Sequence, residues 1–245
     1  MSDVKSAKRV LEILRFFAEE QAPASLARIS TALDLPKSSC LALLETLVTE
    51  GYAYQTDGRY YLTSRWLREA QAVASHDQVA LRCRPTLEKL AQTVGETVIL
   101  AQLSRDKVVY LDVIEAERVL RFSAHVGQHK PIHAGASGHA LLAGLPEQEM
   151  QALAASLDYH AFTQSTVTTP KALARRVEEG RKRGWHVNLG EHQADTVSIA
   201  VPAMLDGALL ALVVGAPMSR LGPEVDKIGA ALKRAAAELA SLQRQ

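Results

Sequence analysis

The 245-residue chain lacks most of the features that mark secreted scaffolds, membrane proteins or common enzymes. It has only two cysteines, Cys40 and Cys83. They fall in separate helical patterns without metal-ligand spacing, so the expectation is two reduced thiols in a cytoplasmic protein. The longest purely apolar run, Ala208–Val214, is far short of the roughly 20 residues that span a bilayer. Met1-Ser2-Asp3 leads straight into a charged amphipathic stretch, which is not the pattern of a secretory leader. Excess charge is missing too. A formal net charge of +1 neither favours nor excludes nucleic acid, so basicity must be read locally. There is no Gly-rich dinucleotide loop, no P-loop and no carboxylate pair at catalytic spacing. Gly135-Ala136-Ser137-Gly138-His139 does supply serine and histidine, with Asp195 or Asp206 elsewhere. Its second glycine comes one position too early for the nucleophile elbow. His125, His129 and His133 recur every four residues, but across a strand end and a Gly-Pro-containing loop, where regular spacing does not imply convergence. The expectation is no catalytic residue, no metal and no cofactor. The alternative is a small-molecule hydrolase or ligand-binding module using Ser137 and His133 without DNA regulation.

What is present is an ordinary globular composition, 47% hydrophobic and 22% charged, at a length natural for two domains. The stretch Ser25 to Tyr54 organises the first of them. Ser25 is a good N-cap, and Leu26, Ile29 and Leu33 recur at helical spacing. Leu33-Asp34-Leu35-Pro36 connects to a second helix whose first position suits Pro36. Cys40, Leu43, Leu44, Leu47 and Val48 form that helix's apolar stripe. Ser38, Leu41, Ala42, Glu45 and Thr49 lie opposite, with Lys37 and Ser39 beside them. Gly51 stands where a left-handed C-cap belongs. Two short helices so spaced place a helix N-terminus in a DNA major groove. Upstream, Ala7, Val10, Leu11, Leu14 and Phe17 share one face of a supporting helix over residues 4–20. Downstream, Thr56-Asp57-Gly58 between Tyr52–Gln55 and Arg59–Leu62 signals a hairpin. The first 63 residues therefore form a winged helix-turn-helix. Its expected DNA contacts are Lys37, Ser38, Ser39, Leu41, Ala42 and Arg59, with Arg9 and Arg28 on phosphates.

Residues 64–78 form a linker helix with a thin apolar stripe of Trp66, Leu67, Ala70 and Val73. From Val79 the pattern resets. Leu81–Thr93 is amphipathic, and Thr97–Leu103 and Lys107–Glu115 form a second hairpin. Arg118–His125 reads as a further strand. Helices follow over His133–Leu145, from Pro146, and from Pro170 to near Gly184. Trp185–Leu189, Thr196–Leu205 and Leu209–Gly215 are strands, and Pro223–Gln243 is a closing helix. Strands segregated from helices around an antiparallel meander predict an α+β domain over residues 79–245, built like a GAF or PAS sensor. The two long helices at its ends cover one face of the sheet.

Over nearly its whole length the chain resembles the IclR family of bacterial transcriptional regulators. The resemblance is carried in the head by Leu35-Pro36-Lys37-Ser38-Ser39, Glu50-Gly51-Tyr52 and Gly58-Arg59-Tyr60-Tyr61-Leu62. In the body it is carried by Gly95-Glu96-Thr97-Val98, Val108-Val109-Tyr110-Leu111-Asp112, Ile132-His133-Ala134 and Gly138-His139-Ala140-Leu141-Leu142-Ala143. Arg183-Gly184-Trp185 and Pro217-Met218-Ser219-Arg220-Leu221 complete the series. It implies a winged-helix head, a linker helix, and an effector-binding, oligomerising domain. It further implies a homodimer or homotetramer on palindromic double-stranded operator DNA, governed by a small-molecule effector, with no membrane role. Two departures stand out. Leu41-Ala42 replaces a His-Arg pair common in the recognition helix, removing an arginine that reads guanine at roughly 1–3 kcal/mol of discrimination. A·T-leaning recognition follows, unless the helix sits differently and reads through other side chains. His139 replaces a common lysine.

The resemblance places an effector pocket between the sheet and the helix opening near His133. Ala136 and Ser137 face the ligand there, and the helix N-terminus offers free amides to an anion. Asn188, Ser198, Val213 and Gly215 line the strands, and Val119, Phe122 and Lys130 complete the wall. Relatives that bind small keto acids carry hydroxyls where Val213 and Gly215 stand. An organic acid, aromatic or otherwise hydrophobic, is therefore the expected effector, tied to a catabolic operon. Phe122 and Val213 sandwich its ring, and Lys130 or Asn188 fixes its polar end. The competing reading of Lys130 is an exposed loop lysine.

Overall fold

A computed structural model describes residues 4–74, 78–221 and 224–242. The chain divides into two compact units, Met1–Asp77 and Gln78–Gln245.

In the first unit, α1 (Lys5–Glu20), α2 (Leu26–Ala32) and α3 (Lys37–Thr49) pack around Ile13, Phe16, Phe17, Ile29, Leu44 and Leu47. The Ser25 hydroxyl caps α2 by accepting from the Arg28 amide at 3.3 Å. Between α2 and α3, buried Ser30 donates its hydroxyl to Leu35 O at 2.7 Å and closes the connector. Pro36 lies one residue ahead of α3, at its N-cap rather than its first turn. After Gly51, whose φ of +75° ends α3, come β2 (Ala53–Thr56) and β3 (Arg59–Leu62). They pair antiparallel, and β1 (Ala24–Ser25) adds to the other side of β3. Asp57 and Gly58 both take left-handed φ values, 50° and 72°, as a two-residue hairpin turn of matching twist requires. The expected linker, 64–78, is helical over α4 (Arg65–Ala74); 75–77 lie outside the described residues, and Gln78 opens the next helix. Tyr52 ties α4 to the wing. Its ring lies 4.6 Å from Trp66 and under the Arg65 guanidinium, and its carbonyl accepts from Trp66 Nε1 at 3.0 Å.

The second unit is a six-stranded, wholly antiparallel sheet in the order β6-β5-β4-β9-β8-β7. Its strands are β4 (Thr97–Ser104), β5 (Lys107–Ile114), β6 (His129–Pro131), β7 (His186–Leu189), β8 (Thr196–Leu205) and β9 (Ala208–Pro217). Period-two alternation splits β9 between two cores. Leu210, Leu212, Val214 and Ala216 face α5 (Gln78–Val94) and α10 (Val225–Ser241). Ala211 and Val213 face α6 (Ala136–Ala143), α7 (Glu147–Ser156) and α8 (Pro170–Arg183). The short α9 (Met218–Leu221) follows β9. The expected closing helix is α10; Pro223 and Gln243 lie outside the described residues.

One expected strand is absent. Residues 118–125 form no ladder, because side chains take their backbone groups: Phe122 O accepts from Thr97 Oγ1 at 2.6 Å, and Ala124 N donates to Glu115 at 3.0 Å. Arg121 takes Arg118 O at 3.1 Å and Arg220 takes Leu120 O at 3.0 Å. The edge of β5 is filled instead by His129–Pro131.

Candidate nucleic-acid interface and buried cavity

The outer face of α3 carries Lys37, Ser38 and Ala42 exposed, with Ser39 and Leu41 half-buried beside them. Exposed Arg59 follows the hairpin turn and holds Pro23 O at 3.4 Å. Arg9 is half-buried on α1. Arg28 differs from the rest: both carboxylate oxygens of Glu20 accept from its guanidinium at 3.1–3.2 Å, so its charge is already matched within the protein.

In the second unit a cavity lies on the α6 side of the sheet. Tyr110, Lys130 and Pro131 form one edge, and Ala134, Gly135 and Ser137 bring the start of α6. Asn188, Thr196, Ser198 and Val213 supply the strand wall, His192 and Gln193 a loop, and Phe122 the irregular segment. Its free volume is about 30 Å³, room for a water molecule or two. Three expected residues do not line it. Val119 is fully exposed, because residues 118–125 are not a strand and do not turn it inward. Ala136 is buried in the second core. Gly215 lies directly beneath the Phe122 ring, its missing side chain leaving the seat.

Asn188 is a strut. Its Nδ2 donates to Ala134 O at 2.7 Å, and its Oδ1 accepts from Glu191 N at 2.9 Å, so it clamps the α6 turn to the 190–193 loop. Gly138 lets α6 sit this close, since a Cβ there would lie 2.0 Å from Ile132 O. His133 and His139 direct Nε2 to backbone carbonyls, at 2.9 Å to His160 O and 3.0 Å to His133 O. Behind the loop, Glu191 Oε2 is buried without a hydrogen-bond partner, 3.8 Å from His139 Nε2. Burial pushes the Glu191 carboxyl up to about 7, against the pull of Arg176, and pushes His139 down to about 4. His192 and Gln193 come from a stretch that carries no motif. Only the fold brings them to the site.

The electrostatics of the cavity are one-sided. None of its lining residues is an aspartate or glutamate. Lys130 is half-buried, and desolvation lowers the pKa of its ammonium. His192 is lowered first by burial and then by the Lys130 and His133 charges. Among the described residues no cluster of His, Cys, Asp and Glu fits an ion. Nor is any described helix long and apolar enough to cross a membrane.

A winged helix-turn-helix joined to such a sheet-and-helix unit defines a DNA-binding transcriptional regulator. The profile of the bacterial transcriptional regulator IclR C-terminal domain matches residues 71–241, and that of the IclR helix-turn-helix domain matches residues 6–57. The chain belongs to the IclR family, whose members are regulators rather than enzymes. It is 36% identical over 220 residues to the Cupriavidus necator protein named "Probable transcriptional regulator SauR", covering 88% of this chain and 87% of that one. It is 26% identical to the transcriptional repressor IclR of Escherichia coli, covering 96% and 89%. The Thermotoga maritima IclR crystal structure shares the fold, with a TM-score of 0.82 at 22% identity over 98% and 99% of the two chains. An IclR homologue from Microbacterium hydrocarbonoxydans, solved with 4-hydroxybenzoate, superposes with a TM-score of 0.74 at 26% identity over 98% and 99%.

Proposed function

We infer that this protein is a ligand-responsive regulator whose effector is an organic anion, aromatic or otherwise hydrophobic, bound in the cavity beside Lys130. The observation that carries this reading is a desolvated lysine in a cavity without a single acidic residue. A half-buried ammonium is costly unless something negative joins it. An incoming carboxylate stabilises both the Lys130 ammonium and a protonated His192. The amides at the start of α6 and the Ser137 hydroxyl add donors for the same group. Val213, Tyr110 and the Phe122–Gly215 pair supply an apolar end. The Microbacterium homologue is complexed with 4-hydroxybenzoate, an aromatic acid of this class.

At the other end, Lys37, Ser38, Ser39, Leu41, Ala42 and Arg59 meet operator DNA, with Arg9 on phosphate. Two heads of a homodimer or homotetramer read the halves of a palindrome, in the cytoplasm, and the target is a catabolic operon. The effector acts by population shift, bounded by how differently it binds the two arrangements of the heads. The domain plan is a head over 1–63, a linker helix over 64–78 and a sensor over 79–245. The test is fluorescence anisotropy of labelled operator DNA with and without an aromatic carboxylate. A ligand-dependent change in operator affinity supports the reading. Identical affinities at saturating ligand, with binding to the protein verified separately, refute it.

A further inference from the structure

We propose that Phe122 is a self-plug that selects ring-bearing effectors: its ring occupies the seat on Gly215 that an effector ring takes by exchange. This rests on the reading of the cavity as an anion site, and it adds how that site chooses among anions.

Four observations place the plug. A Cβ built on Gly215 would lie 2.8 Å from Cγ and 2.9 Å from Cδ1 of Phe122, so the ring rests on the bare glycine backbone. The seat is walled on its own strand by Val213, two residues along and on the same face. The backbone of Phe122 is held next to the seat by Thr97 Oγ1 at 2.6 Å, and Thr97 is the residue paired with Gly215 across β4 and β9. Only the side chain is left to move. It is half-buried and rooted in a segment without helix or strand.

With the ring seated, about 30 Å³ is free beside it, so any acid that fills the cavity as far as the Gly215 seat must move the ring. An aromatic acid replaces one ring by another and restores the apolar cover of Gly215 and Val213. A short keto acid displaces the ring and leaves that surface uncovered, losing the contact without replacing it. Phe122 thus raises the threshold for all acids, and only those with a ring recover it.

The experiment uses the full chain labelled with 4-fluorophenylalanine, which gives resonances from only four positions, Phe16, Phe17, Phe122 and Phe162. Benzoate and pyruvate are titrated by ¹⁹F NMR and calorimetry into wild type, Phe122→Ala, Phe122→Leu and Lys130→Met. The expected result is that benzoate moves the Phe122 resonance and leaves Phe16 and Phe17 in place. Phe122→Ala and Phe122→Leu should bind benzoate more tightly, by roughly tenfold for Ala, which corresponds to about 1.4 kcal/mol. Pyruvate should tighten by a similar factor, because the cost of displacing the ring is common to both acids. A Phe122 resonance unmoved at benzoate saturation overturns the proposal, as does equal or weaker benzoate binding in both variants. Failure of both wild type and Phe122→Ala to bind either acid overturns it as well. If the Phe122 effects persist while Lys130→Met binds benzoate normally, the plug stands and the anion reading falls.

Discussion

The Tyr52 hydroxyl donates a 2.6 Å hydrogen bond to Glu69, one of several contacts that join the segment just after α3 to α4. Arg65 closes the arrangement, donating to Glu69 at 2.7 Å and to Glu50 O at 2.5 Å. The hydrogen bonds from Tyr52 and then Arg65 hold the Glu69 carboxyl below the usual range. The start of α4 is therefore packed as part of the first unit, tied through Tyr52 to the end of α3.

Tyr52→Phe deletes the hydroxyl and keeps the ring packed on Trp66. Operator affinity in the absence of effector should stay close to wild type, while the effector-induced change in affinity should shrink. Anisotropy titrations with and without effector measure both. An unchanged effector response would show that the coupling takes another route.

Replacing Ser38 and Arg59 together with alanine should weaken operator binding and leave effector binding intact. Loss of one phosphate contact at Arg59 should flatten the log–log salt dependence by about one unit. Titrations at several salt concentrations give the slope directly. Arg28→Ala should change the slope little, because Glu20 already neutralises that guanidinium.

Asn188→Ala removes both bonds of the strut and leaves Ala134 O and Glu191 N buried without partners. At about 1–3 kcal/mol for each of the two unsatisfied groups, urea unfolding should show a loss on the order of 2–6 kcal/mol. Effector binding should fall as well, because His192 and Gln193 lose their anchor. Asn188→Asp should repair only the bond from Glu191 N.

Stability should depend on pH through Glu191. Its carboxyl holds a proton more tightly folded than unfolded, being raised from 4.5 to about 7. The resulting penalty is absent below the unfolded value, grows as pH rises between the two values, and is complete above the folded one. Buried His139 and His186 act oppositely. Their folded values, about 4 and about 3, lie below the unfolded 6.5, so stability is lost as pH falls from 6.5 toward them. Glu191→Gln should therefore gain stability relative to wild type from pH 5 to pH 8, by on the order of 2–3 kcal/mol. Urea unfolding at the two pH values checks it; a constant difference would contradict the assignment.

Local signals in the sequence carried most of the fold. Asp57-Gly58 and Asp206-Gly207 specify tight turns chemically, and the long helical periodicities of α5 and α10 leave little choice of partner face. The irregular segment was not legible. Val119–Leu120–Arg121–Phe122 alternates like a strand, but Thr97, Glu115 and Arg220 capture its backbone, and those residues are distant in sequence. The same effect governs the cavity. Ser137, Lys130, Ser198 and Val213 follow from the motifs around them, whereas His192 reaches the site on a loop whose position depends on Asn188. Asn188 itself has the chemistry of a ligand donor, yet both its groups serve the backbone. Polarity and spacing do not reveal such prior commitments.

The most direct measurement is a thermal-shift comparison of benzoate, its neutral isostere benzamide, and pyruvate, on wild type and Lys130→Met. An anion-sensing cavity closed by a ring predicts stabilisation of wild type by benzoate, little by benzamide or pyruvate, and none by benzoate in the variant. Equal shifts from benzamide, a response to pyruvate alone, or full retention of the benzoate shift in Lys130→Met would contradict it.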